Sequence, residues 1–159
     1  MKQKTLCALL YGALSFLSLS AVLALFLVAP QIGAEMAETE PSLAWAYWPW
    51  LLLIWALGAA FLTVVGFAFA IVRNISRGRA FSDENATHFA CIAWISGIAS
   101  PVFLAGVIVL GELGASAPFV FFGGLFCCFL GLAVSVGAAT LSYLCANAAD
   151  LQKKEDLTV

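Results

Sequence analysis

Four stretches of this chain, residues 6–29, 49–72, 88–111 and 118–146, contain no Asp, Glu, Lys or Arg. Each exceeds the ~20 residues that a helix, rising about 1.5 Å per residue, needs to cross a hydrocarbon core of about 30 Å. All four are apolar on every face, whereas a helix of a water-soluble bundle keeps a polar stripe toward solvent. The expected fold class is therefore all-α: an integral membrane four-helix bundle. Residues 1–159 form a single transmembrane domain, with a loop at 73–87 and a tail at 147–159.

Composition agrees with lipid as the solvent. The chain is 64% hydrophobic and 10% charged, with a mean hydropathy of +1.04. A soluble domain is about 45–50% apolar and about 25% charged. A soluble chain this short could not cover its surface with so few polar groups. Lys2 and Lys4 precede the first apolar stretch as they would in a signal peptide. That stretch outruns the ~7–15 residues of a signal core, so an uncleaved first span is expected.

Four crossings place all seven basic residues, Lys2, Lys4, Arg73, Arg77, Arg79, Lys153 and Lys154, on one side. Glu35, Glu38, Glu40 and Glu112 fall on the other. The positive-inside rule then assigns both termini and the loop at 73–87 to the cytoplasm. The same assignment removes Asn74-Ile-Ser76 and Asn85-Ala-Thr87 as glycosylation acceptors. Trp45, Tyr47, Trp48 and Trp50 cluster before the second span and mark the outer headgroup layer. A cation-binding aromatic box is the sharper and less favoured reading of those rings.

Small residues recur at helical spacing in Gly66-x-x-x-Ala70, Ala93-x-x-x-Gly97 and Ala133-x-x-x-Gly137. Such positions let backbones approach closely, within the chain or across a homo-oligomer. Pro101 should bend the third span.

No nucleotide-loop, zincin or nucleophile-elbow motif is present, so neither enzyme activity nor a cofactor is expected. Pumps and ion-coupled carriers place ionisable groups at membrane depth. Here only His88 and Glu112 come near, both at span ends. The five cysteines, Cys7, Cys91, Cys127, Cys128 and Cys145, are odd in number and lack metal-ligand spacing. No metal is expected, and Cys127–Cys128 reads as packing rather than a redox pair.

What local information remains lies at the basic end. Asn74 or Gly78 can end the second helix in a left-handed conformation. Ser82 is a natural N-cap for the third, with Asp83 and Glu84 in its first turn. Phe81 can pack back on the helix or dip into the interface. The arginines either snorkel against anionic lipid or form a docking site for a cytosolic protein. In the tail, Asp150 and Lys154 stand at i, i+4 in the favourable order, which carries the fourth helix beyond the membrane.

The pattern Asn74-Ile-x-x-Gly78-x-x-Phe81-Ser82-x-x-Asn85, a final span running into Leu151-Gln152, and the ending Asp156-Leu-Thr-Val159 together resemble the DUF2975 family. These are small four-span proteins of the bacterial cytoplasmic (inner) membrane. The third span begins Ala86-Thr-His-Phe89, where family members often continue with a more basic, Leu-containing start. This departure weakens any case for an acidic partner at that helix start. The resemblance brings no established activity. It implies, by association with neighbouring genes, a partner that is a small helix-turn-helix DNA-binding regulator, with no direct nucleic-acid binding by this chain. The candidate docking residues are Asn74, Arg77, Gly78, Arg79, Phe81, Asn85, Lys153 and Asp156. The competing reading is a small exporter or immunity-type protein handling a lipophilic compound, with Ser96, Ser100, Ser135 and Thr140 lining a polar path.

Overall fold

A computed structural model of the chain describes residues 3–115 and 118–156. Every regular element among them is helical. Helix α1, Gln3–Leu23, passes through a π turn, Ala24–Val28, directly into α2, Ala29–Thr39. A 3₁₀ turn, Pro41–Ala46, leads into α3, Tyr47–Ser76. Helices α4, Asp83–Glu112, and α5, Pro118–Asp156, complete the fold. Four continuous helical rods, Lys4–Thr39, Pro41–Ser76, Asp83–Glu112 and Val120–Gln152, are long and apolar enough to span a bilayer.

The first rod reaches ten residues beyond the expected end at residue 29, so the loop before Trp45 contracts to a break at Glu40. Pro30 has no N–H to donate and its ring crowds the preceding turn. The π turn just upstream widens the helix there: the Ala29 N–H reaches five residues back, to the Ala24 carbonyl. Such a turn lets a helix continue past a proline instead of stopping. The chain finally leaves the helix at Glu40, φ −128° and ψ 88°. A residue preceding proline is pushed toward that extended region, and Pro41 follows.

Helices pack mainly in chain order, α1 on α3, α3 on α4 and α4 on α5, so α1 and α5 end an open row. At the α1–α3 contact, Leu25 fills the space above Gly58, where a Cβ would collide with it. The Trp55 indole N–H donates to the Leu25 carbonyl at 3.0 Å. The π turn is thereby pinned to α3.

The α4–α5 contact is the most extensive and rests on small residues. Gly124, Cys128, Gly131, Ser135, Ala138, Ser142, Cys145 and Ala149 follow one another at alternating four- and three-residue steps along the inward face of α5. A seven-residue repeat keeps such a seam facing one partner helix. A Cβ at Gly131 would strike Ser100 Oγ, and one at Gly124 would sit 3.1 Å from Val107 Cγ2. The Ser135 hydroxyl donates to the Ala93 carbonyl at 2.7 Å, and the Ser142 hydroxyl to the Ala86 carbonyl at 2.7 Å. One heptad separates the two donors, and one heptad separates the two acceptors. Apolar surface gains little by leaving lipid for protein, so close packing and such hydrogen bonds carry the association.

The structure sorts the small-residue pairs by face. Ala93 is buried and Gly97 lies against Ser135, as close approach requires. Gly66 and Gly137, in contrast, face outward with nothing within 4 Å of an added Cβ. Two packed clusters cap the row. Ile71, Ile92, Ala93 and Ala138 join α3, α4 and α5 toward the basic end. Ala46, Leu110 and Ala115 close the other end, where the Trp50 indole N–H donates to the Ala115 carbonyl at 2.8 Å.

Candidate functional site: the arginine loop

The turn between α3 and α4 is built in three layers. The first is backbone. Gly78 adopts φ 77°, in the left-handed region that a Cβ disfavours. Its N–H donates to the Ile75 carbonyl at 3.0 Å, and the Arg79 N–H donates to the Asn74 carbonyl at 3.0 Å. This pair of bonds is a Schellman cap, which satisfies carbonyls left open at the end of α3. The second layer is the start of α4. Ser82 is extended, φ −132° and ψ 153°, and its Oγ accepts the Asn85 N–H at 3.3 Å. Asp83 and Glu84 occupy the first turn beside it.

The third layer is a buried amide pair. Asn74 is 1% exposed and Asn85 is 0% exposed. Asn74 Nδ2 donates to Asn85 Oδ1 at 2.9 Å. Asn85 Nδ2 in turn donates to the Ala80 carbonyl at 2.9 Å and the Arg79 carbonyl at 3.2 Å. One side chain from α3 and one from α4 thus close a ring around the turn. Two carbonyls at one end of the Asn85 amide and an N–H donor at the other fix which atom is oxygen.

The expected docking residues therefore divide. Asn74 and Asn85 face inward and hold the loop, so neither is placed to touch a partner. Buried polar groups need such internal bonds, and these two have them. Arg77, Gly78 and Arg79 are exposed, and the Phe81 ring stands 55% exposed beside them. Arg73 is exposed one turn earlier, at the end of α3. Lys153 and Asp156 have side chains outside the described residues. His88 lies half-buried inside the first turns of α4. Its Nε2 is 3.8 Å from Glu84 Oε1 and its ring centroid is 5.6 Å from that of Phe67.

Of the residues expected to line a polar path, three have hydroxyls bonded to main-chain carbonyls. Ser100 donates to the Ser96 carbonyl at 2.7 Å, Ser135 to Ala93, and Thr140 to Val136 at 2.9 Å. These three hydroxyls close on backbone, and Thr140 faces outward. Among the described residues no cluster of three or more His, Cys, Asp or Glu side chains could hold a metal ion. The loop presents the exposed Arg73, Arg77 and Arg79 and the exposed Phe81 ring together at one end of the helices.

The sequence pattern of DUF2975, described as a protein of unknown function, matches residues 31–159. The chain belongs to the DUF2975 family. The matched region starts just after Pro30 and takes in α3, the arginine loop, α4 and α5. A second similarity is to the uncharacterized membrane protein YoaS of Bacillus subtilis (strain 168), 27% identical over 140 residues and covering 86% of each chain. No solved structure matches. With its four spanning rods, this DUF2975 chain is a multi-pass membrane protein. Asn74 and Asn85 both stand in the pattern Asn74…Gly78…Phe81-Ser82…Asn85, but nothing in that spacing says that their amides turn inward.

Proposed function

We propose that this protein is a non-enzymatic interaction protein of the bacterial cytoplasmic membrane, oriented with both termini and the arginine loop in the cytoplasm. The loop at 73–85 and the tail from residue 150 form a docking face for a soluble partner, such as a small helix-turn-helix DNA-binding regulator. One observation carries the reading. A turn joining two spanning helices needs only caps, yet this one adds a fully buried Asn74–Asn85 ring. The ring holds Arg77, Arg79 and Phe81 outward on a fixed backbone. Preorganising a surface lowers the entropy lost when a partner binds it. Interface anchors are commonly Arg and aromatic side chains. The placement of all seven Lys and Arg residues on one side of the four crossings supports the cytoplasmic assignment.

The test is affinity purification of the tagged full chain from native membranes, comparing wild type with Arg77→Glu and Phe81→Ala. The expected result is a stoichiometric soluble partner with wild type that is lost in both variants, while membrane insertion is unchanged. Recovery of the same partner by both variants, or of no soluble partner by wild type, contradicts the proposal.

A further inference from the structure

Helices α1 and α3 bring three cations together at the end of their contact. Leu25 packs on Gly58 and Tyr11 stacks on Phe69, ring centroids 6.0 Å apart, so the two helices run antiparallel in a fixed register. Lys4 stands seven residues before Tyr11, two turns along the same face of α1. Arg73 stands one turn beyond Phe69 on α3, and Arg77 one turn beyond Arg73. In an antiparallel pair those steps run in the same direction. Lys4 therefore reaches the height of Ser76, between Arg73 and Arg77, on the side of α1 that faces α3.

All three side chains are exposed, and among the described residues none of them has an acidic partner. The first turn of α1 holds no acid, and Glu84, at the same end of the bundle, lies against His88. Like charges at i, i+4 repel one another, and a third cation on the facing helix adds to that repulsion. An anion seated among the three would offset it.

Depth and charge identify the anion. Lys4 comes two residues before the charge-free stretch 6–29, and Arg73 directly follows the charge-free stretch 49–72. Helix α3 has 30 residues, about 45 Å, which matches the ~40–45 Å of a bilayer with its headgroup layers. The three cations thus lie at the level of phospholipid phosphates. We propose that Lys4, Arg73 and Arg77 form a site for an anionic phospholipid, phosphatidylglycerol. Its phosphate accepts charge-assisted hydrogen bonds from the two guanidinium groups and the ammonium. Its acyl chains run down the surface of α3 over Gly66, two turns from Arg73 on the same face, where an added Cβ would meet nothing within 4 Å. Phosphatidylcholine and phosphatidylethanolamine carry an ammonium of their own, which three cations repel. Arg79 lies past the reversal at Gly78 and outside this row. The site shares Arg77 with the proposed docking face but needs no soluble partner, and it is tested without one.

The experiment is native mass spectrometry of the purified full chain, released from micelles supplied with equimolar phosphatidylglycerol and phosphatidylcholine of the same acyl chains. Wild type is expected to retain one phosphatidylglycerol with at least about tenfold preference. Lys4→Gln and Arg73→Gln should each cut that preference by at least about threefold, and the double variant should abolish it. Arg79→Gln removes the same charge outside the row and should keep the wild-type preference. These positions are exposed, so the variants retain the fold. Equal retention of the two lipids by wild type overturns the proposal, as does a wild-type preference in the Lys4→Gln, Arg73→Gln double variant. A loss in Arg79→Gln as large as that in Arg73→Gln also overturns it, because surface charge without a defined site would then suffice.

Discussion

Asn85 has no exposed surface, and its side-chain amide meets Asn74, Arg79 and Ala80. Replacing it with Ala leaves two loop carbonyls and the Asn74 amide without their partner. A buried group orphaned in this way costs about 1–3 kcal/mol. Asn85→Ala should therefore lower the midpoint of thermal unfolding in detergent by several degrees. Arg77→Ala, an exposed change, should leave stability within about 0.5 kcal/mol of wild type. Gly78→Ala forces a Cβ into the left-handed region and should cost about 1–2 kcal/mol by the same measurement. The two caps were legible because each is encoded locally, by Gly78 at one helix end and Ser82 at the other. The inward turn of Asn74 and Asn85 was not. Polar side chains in a short turn read as solvent-facing, and only the approach of α3 to α4 brings these two amides together across eleven residues.

At the scale of elements, the α4–α5 seam shows why motif spacing misled on one helix and served on another. Ala93-x-x-x-Gly97 lies on the seam, whereas Ala133-x-x-x-Gly137 lies on the opposite side of α5. Small residues occur on both faces of α5, so a four-residue interval does not say which face packs. The longer heptad of eight small residues, from Gly124 to Ala149, does say so and is present in the sequence. Ser135→Ala and Ser142→Ala should each destabilise by about 0.6 kcal/mol, the average for interhelical hydrogen bonds in membranes. Gly131→Leu should do far more, since even a Cβ there meets Ser100 Oγ. Thermal unfolding of the purified variants in one detergent checks the order. The extension of the first rod to Thr39 escaped the sequence reading for another reason. The expected span closed at residue 29, just before Pro30, and only a widened turn upstream lets the helix pass that proline.

For the molecule as a whole, length and the absence of charge were enough to place four spanning rods, because lipid leaves a charge-free apolar helix few other environments. The open order of packing, with α1 and α5 at its ends, depends on which faces meet and had no counterpart in composition. The proposed orientation rests on the sequence, in which all seven basic residues fall on one side of four crossings, and the docking proposal requires that side to face the cytoplasm. The direct measurement is labelling of single cysteines with a membrane-impermeant maleimide in intact bacterial spheroplasts. The chain would carry Arg79→Cys or Glu38→Cys in a background with its five native cysteines replaced by Ala. Both positions are exposed beyond the spanning apolar segments. The expected result is labelling of Glu38→Cys in intact spheroplasts, and of Arg79→Cys only after lysis. Labelling of Arg79→Cys in intact spheroplasts, with Glu38→Cys protected until lysis, would contradict it.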